Sequence, residues 1–136
     1  MRLHRAGWVA TATAVMLLLM ACSPTLDALR ARRDKMEAIV PSSAAAAASC
    51  IADAATRAGA QLEKSYYDAE LAVAELVVVF PAGDTGGPAF NARYEITPRD
   101  GKAARVVYAF DAQEPQREAA GAIALGPVTT CGGAAR

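Results

Sequence analysis

Asp68, Glu70 and Glu75 are the acids whose spacing comes nearest to chemistry, since paired carboxylates serve as general acid and base and three together hold a hard cation. On a strand, Asp68 and Glu70 fall on one face and Glu75 on the other, so the three do not converge. A calcium loop also needs a glycine at a set place among its acids, which this stretch lacks. Serines 42, 43, 49 and 65 offer hydroxyl nucleophiles, but none sits in a Gly-x-Ser-x-Gly elbow. Lys64 beside Ser65 is no better placed as a base, because adjacent residues on a helix point away from one another. The expectation is a set of ordinary solvent-facing acids, with no catalytic residue, no metal ligand set and no cofactor.

The loop PAGDTGGP, residues 81 to 88, carries three glycines, and glycine-rich loops cradle phosphate through their backbone amides. A phosphate loop, however, ends in a lysine and a hydroxyl residue that open a helix, whereas Pro88 here leads toward a strand. A plain connection between strands is the expected reading.

The remaining reactive side chains are three cysteines, Cys22, Cys50 and Cys131, and one histidine, His4. Cys22 ends the run AVMLLLMACSP, preceded by a basic start at Arg2, His4 and Arg5 and an uncharged stretch from Ala6 to Ala21. That is the layout of a secretory signal peptide, and it is short beside the roughly 20 apolar residues a bilayer span needs. Leu19, Met20, Ala21 and Cys22 resemble the lipobox of bacterial lipoproteins. The resemblance implies transfer of a diacylglyceryl group to the Cys22 sulfur, cleavage after Ala21 and acylation of the freed amine. With Ser23 rather than an aspartate after the cysteine, it also implies a place on the periplasmic face of the outer membrane. Each acyl methylene buried in the bilayer contributes about 0.8 kcal/mol, so several chains on one residue hold a small domain durably.

Loss of residues 1 to 21 changes what the rest can do. It removes the single histidine and the single tryptophan, and with them the side chain best suited to proton transfer near neutral pH. It also removes Arg2 and Arg5, leaving twelve basic residues against fourteen acids, a balance that gives nucleic acid no electrostatic reason to bind. Cys50 and Cys131 become the leftover pair, and an oxidising compartment favours a disulfide between them. A redox-active dithiol is disfavoured by the lack of Cys-x-x-Cys spacing.

Positioning these residues falls to a few elements. Pro24 to Val40 reads as a short helix, with Leu26, Leu29, Met36 and Val40 near one face, Arg30 one turn from Asp34, Arg33 one turn from Glu37, and Pro41 as its end. The basic run at residues 30 to 35 reads as a solvated helix face rather than a lipid-reading patch. A second helix is expected from about Ala44 to Lys64, on the strength of its alanine run and a stripe of Cys50, Ala54, Ala58 and Leu62 that would carry the cysteine inward. A strand is expected in residues 71 to 80, at least from Leu76 to Phe80, although Asp68 to Leu76 is also rich enough in alanine and glutamate to extend a helix. Strands follow at Phe90 to Thr97 and at Ala104 to Phe110, joined through PRDGK as a hairpin. Tyr66 and Tyr67, at the change from helix to strand, read as one buried ring and one at the rim, or else as a pair of interface anchors. Pro115 is read as opening a short helix, which Gly126 and Pro127 break.

The expected fold class is α+β, a small antiparallel sheet of three to four strands with one or two N-terminal helices packed on one face, stapled by one disulfide. Residues 1–21 are expected as signal peptide, 22–43 as tether and short helix, and 44–136 as one domain. The expected role is that of a non-enzymatic, lipid-anchored periplasmic lipoprotein that binds another protein of the envelope. Two alternatives are an inhibitor or immunity lipoprotein neutralising a secreted effector, and a ligand- or lipid-binding lipoprotein with a pocket lined by Tyr94, Tyr108 or Phe110.

Overall fold

The computed structural model describes residues 35–83 and 87–135. Cys22, the expected signal segment and most of the expected first helix lie outside the described residues. Among the described residues the order of elements is β1 (Met36–Val40), α1 (Ala44–Arg57), β2 (Gln61–Asp68), β3 (Val73–Phe80), β4 (Phe90–Asp100), β5 (Ala103–Phe110), α2 (Arg117–Thr130) and the two-residue β6 (Ala134–Ala135). The strands form one six-stranded antiparallel sheet in the order β2-β3-β4-β5-β1-β6. The class is therefore α+β as expected, with more strands.

β1 corrects the helix expected up to Val40. Met36, Ala38 and Val40 satisfy a two-residue period as well as a helical one, and so short an apolar run leaves the choice to tertiary pairing. β5 supplies that pairing, with Ala38 opposite Val106 and Val40 opposite Ala104, and both β1 residues are fully buried. Glu37 then lies in a strand and meets Arg105 at 2.9 Å. The segment expected as a tether thus contributes a strand to the interior of the sheet.

The alanine run does form a helix, capped by the Ser43 hydroxyl, which accepts from the Ala46 amide at 3.2 Å. It stops at Arg57 rather than Lys64. Gly59 adopts φ +89°, which a Cβ resists, and the amides of Gly59 and Ala60 turn back to the carbonyls of Thr56 and Ala55. The buried stripe is Ala44, Ala47, Ala48, Ile51, Ala54 and Ala55, so Ile51 faces the core and Cys50 sits half-buried at the flank.

The expected hairpin is present, with Tyr94 opposite Tyr108 and Ile96 opposite Val106. One face of the sheet, carrying Leu76, Val78, Phe80, Ala92, Tyr94, Ile96, Val106 and Tyr108, packs against both helices in a single core. Because the helix-facing residues of α1 are nearly all alanine, its backbone lies close to the sheet, and the large side chains come from the strands.

α2 runs on through Gly126 and Pro127, against the expected break. Pro127 and Val128 are buried, and packing holds the helix across a residue that gives it no amide. Two side chains engage carbonyls in this stretch: the Tyr94 hydroxyl donates to Ala124 and the Thr130 hydroxyl to Gly126. Cys131 caps the helix and is bonded to Cys50, with Cα atoms 5.9 Å apart at a sequence separation of 81. The disulfide thus ties α2 to α1.

Candidate functional site

The acids do not assemble a reactive centre. Asp68 ends β2, and its Oδ1 accepts the amides of Glu70 and Leu71, at 2.9 and 3.1 Å, closing the turn to β3. Glu75 lies opposite Tyr66, which places it on the same sheet face as Asp68 and corrects the opposite-face expectation: the turn resets the alternation. Glu75 is engaged elsewhere, by Arg93 at 2.9 Å and Lys64 at 3.2 Å. The hydrogen bond from Arg93 holds its carboxyl down at about 2, against the burial that works the other way, with Lys64 assisting.

Arg93 is the one buried charged side chain among the described residues, 7% exposed in the middle of the face away from the helices. Burial opposes its charge, but the hydrogen bonds to Glu75 and Glu95 outweigh that and raise its pKa further. Its Nε is buried without a hydrogen-bond partner in the described structure. Lys64, Glu75, Arg93 and Glu95 balance in charge, so the cluster acts as a clamp across three strands rather than a binding charge.

The serines are spent locally or stand alone. Ser43 caps α1, while Ser42 donates to the Ser43 carbonyl. Lys64 and Ser65 are neighbours on a strand and point to opposite faces, so they do not form a pair. Pro88 and Ala89 lead into β4, while residues 84–86 of the glycine loop lie outside the described residues. No group of three metal-ligating side chains occurs among the described residues, and none of their helices is long and apolar enough to cross a membrane.

Tyr94 is fully buried with its hydroxyl committed to Ala124, and it stacks on Tyr108 with ring centroids 5.9 Å apart. Burial raises the pKa of both phenols. The rings at the centre of the helix-facing side thus fill that space. Tyr108 and Phe110 also border an open hollow of about 520 Å³ toward Met36 and Leu125. A second hollow, about 320 Å³, lies between Phe90, Pro88, Ala120 and Ile123; its acid, Asp111, is committed to the amide and side chain of Asn91 at 2.7 and 3.0 Å.

What stands out is β2. It is the terminal strand of the sheet, paired with β3 alone, so along its outer side the backbone donors and acceptors meet no other strand among the described residues. Gln61 to Tyr67 are all exposed. Leu62 is 41% exposed, Tyr66 54% and Tyr67 45%, and Leu71 in the following turn is 67% exposed. Both tyrosines are therefore on the surface, which corrects the expectation of one buried ring. Residues 65–67 border a shallow groove of about 330 Å³ with Ala45, Ala48, Ser49 and Ala52 of α1, Ser65 and Tyr67 lying on the helix-facing side of the strand. Natural sheets usually hide or shorten such edges, and an extended segment from another chain can add to one that is left open.

The tyrosine pair was visible in the sequence, but the edge was not, because an exposed strand has no apolar alternation to announce it. Compared with protein-family models, with curated proteins and with solved structures, the chain matches none of them.

Proposed function

We propose that the chain is a lipid-anchored lipoprotein of the outer membrane's periplasmic face, without enzymatic activity, whose domain binds another polypeptide along the β2 edge. The observation that carries the binding role is the open edge itself: an eight-residue strand at the border of the sheet, exposed from Gln61 to Tyr67, with Leu62, Tyr66, Tyr67 and Leu71 projecting from it and its turn. Tyrosines supply large contact area at small cost in side-chain entropy, and main-chain hydrogen bonds to an added strand supply the rest. The Cys50–Cys131 bond supports a compartment outside the cytoplasm, since such bonds persist where thiols are oxidised. The lipobox at Leu19 to Cys22 supports the anchor.

Two measurements test the two halves. Intact mass of the membrane-extracted protein should show loss of residues 1–21 and a gain of acyl mass on Cys22; a chain that still begins at Met1 without lipid removes the anchor. Photo-crosslinking from position 67 in intact membranes should give a discrete adduct, with none from position 101 in the β4–β5 turn. Equal or absent adducts at both positions remove the β2 edge as the binding surface.

A further inference from the structure

We propose that the occupant of this edge is a second copy of the same chain, paired antiparallel through β2 with Tyr66 opposite Tyr66; the proposal rests on the reading of β2 as a binding edge. Residues opposed in an antiparallel pair share a sheet face, so a two-fold seam is specified by the residue that meets itself. β2 carries an irregularity between Leu62 and Lys64 and ends in the Asp68 turn, which leaves Lys64 to Asp68 as its regular stretch, and Tyr66 is the centre of that stretch. Centring there uses all five residues and sets Lys64 opposite the second copy's Asp68 twice, once on each side of the two-fold. Centring on Lys64 opposes two ammonium groups and draws in the bulge. Centring on Ser65 sets Lys64 against Tyr66 and forms no opposite-charge pair, and centring on Tyr67 leaves only three residues in the seam. The Tyr66 register is thus the one of the four in which charges are complementary, and complementary cross-strand pairs stabilise while like charges opposed directly destabilise.

The geometry accommodates it. Lys64 keeps a side chain 47% exposed while touching Glu75, which leaves its ammonium within reach of a carboxylate across the seam. Tyr66 stands beside it on the face away from the helices, so the two Tyr66 rings meet at the two-fold, and Ser65 lies opposite Tyr67 along the groove under α1. The result is one continuous sheet with the helices of both copies on the same side.

The test uses the full chain in membranes from cells that express it. Tyr66→Cys under mild oxidation should give a dimer on non-reducing electrophoresis that reduction abolishes. Gln61→Cys should not, because in this register residue 61 lies about 34 Å from its counterpart at ~3.4 Å per residue. Adding Lys64→Glu to Tyr66→Cys should lower the dimer yield severalfold, by opposing acids at both ends. The unsubstituted protein, extracted in detergent, should show twice the chain mass by light scattering. A monomeric unsubstituted chain with no dimer from Tyr66→Cys overturns the proposal, and equal dimer yields at positions 61 and 66 overturn the register. An adduct from position 67 whose mass differs from twice the chain would sink self-pairing while leaving β2 as a binding edge.

Discussion

Arg93 Nη2 donates to Glu75 Oε2 at 2.9 Å across the β3–β4 border, while its Nη1 donates to Glu95 at 3.1 Å. A guanidinium stays charged even at this depth, and the two carboxylates facing it offset the cost of burying that charge, so loss of the Glu75 ion leaves it poorly compensated.

That relationship makes stability depend on acid. Glu75 has a folded pKa of about 2 against an ordinary value of 4.5, a depressed carboxyl. Its contribution is fully present above pH 4.5 and is lost as pH falls toward 2, because the unfolded chain takes up the proton first. With the carboxylate mostly buried, the loss should be about 2 kcal/mol. Denaturant unfolding of the native chain at pH 7 and pH 3 should show this decline, and Glu75→Gln should be less stable at pH 7 while losing less on acidification. Equal acid sensitivity of the two would place the titrating group elsewhere.

Tyr94→Phe should cost about 1 kcal/mol, and its cause is local to α2. The substitution leaves the ring, its burial and its stacking on Tyr108 in place, and deletes only the donor to the Ala124 carbonyl in the helix turn just before Pro127. Hydrogen exchange should rise in the second half of α2 more than in α1. Uniform loosening of the whole domain would mean the hydroxyl serves the core at large.

These two contacts mark the limits of what the sequence discloses. Alternation at Phe90, Ala92, Tyr94 and Ile96 announces a half-buried strand, and all four are buried. Nothing in that alternation reveals that Arg93, on the other face, is buried too, since its cover comes from neighbours in β3 and β5 that pairing alone assembles. β1 was unreadable for a related reason: in Met36 to Val40 a period of two and a period of four coincide. β2 was missed because an edge strand with both sides exposed carries no pattern, although Gly59 marked the end of the helix before it. The tyrosines of the candidate edge were legible as residues; their exposure followed only from the strand order.

Gly132→Ala should destabilise by about 1 kcal/mol through backbone strain, and Gly133→Ala by more. Gly132 holds φ +85°, with its amide on Thr129 and the next amide on Val128, the arrangement that closes α2. A Cβ on Gly133 would stand 2.7 Å from the Val128 carbonyl oxygen and 2.5 Å from its side chain, and the carbonyl cannot swing away without breaking that closure. Gly101→Ala, where a Cβ meets nothing within 4 Å, is the control and should be within about 0.5 kcal/mol of the native chain in the same denaturant titration.

Reduction of Cys50–Cys131 should remove about 4 kcal/mol, the chain-entropy value for a loop closed across 81 residues. For a domain whose first helix contributes mostly alanine to the core, that is a large share of the margin, because small side chains bring little apolar area to offset the entropy of ordering. The bond joins the flank of α1 to the cap of α2, so its loss frees the end of α2 and β6 while β2 to β5 keep their pairing. Cys50→Ser with Cys131→Ser should therefore lower the denaturant midpoint sharply, and at neutral pH without denaturant should raise exchange first in Thr129 to Ala135. If exchange rises first along β2 instead, the disulfide is bracing the binding edge through α1, and the open strand owes its shape to a bond on the far side of the helix.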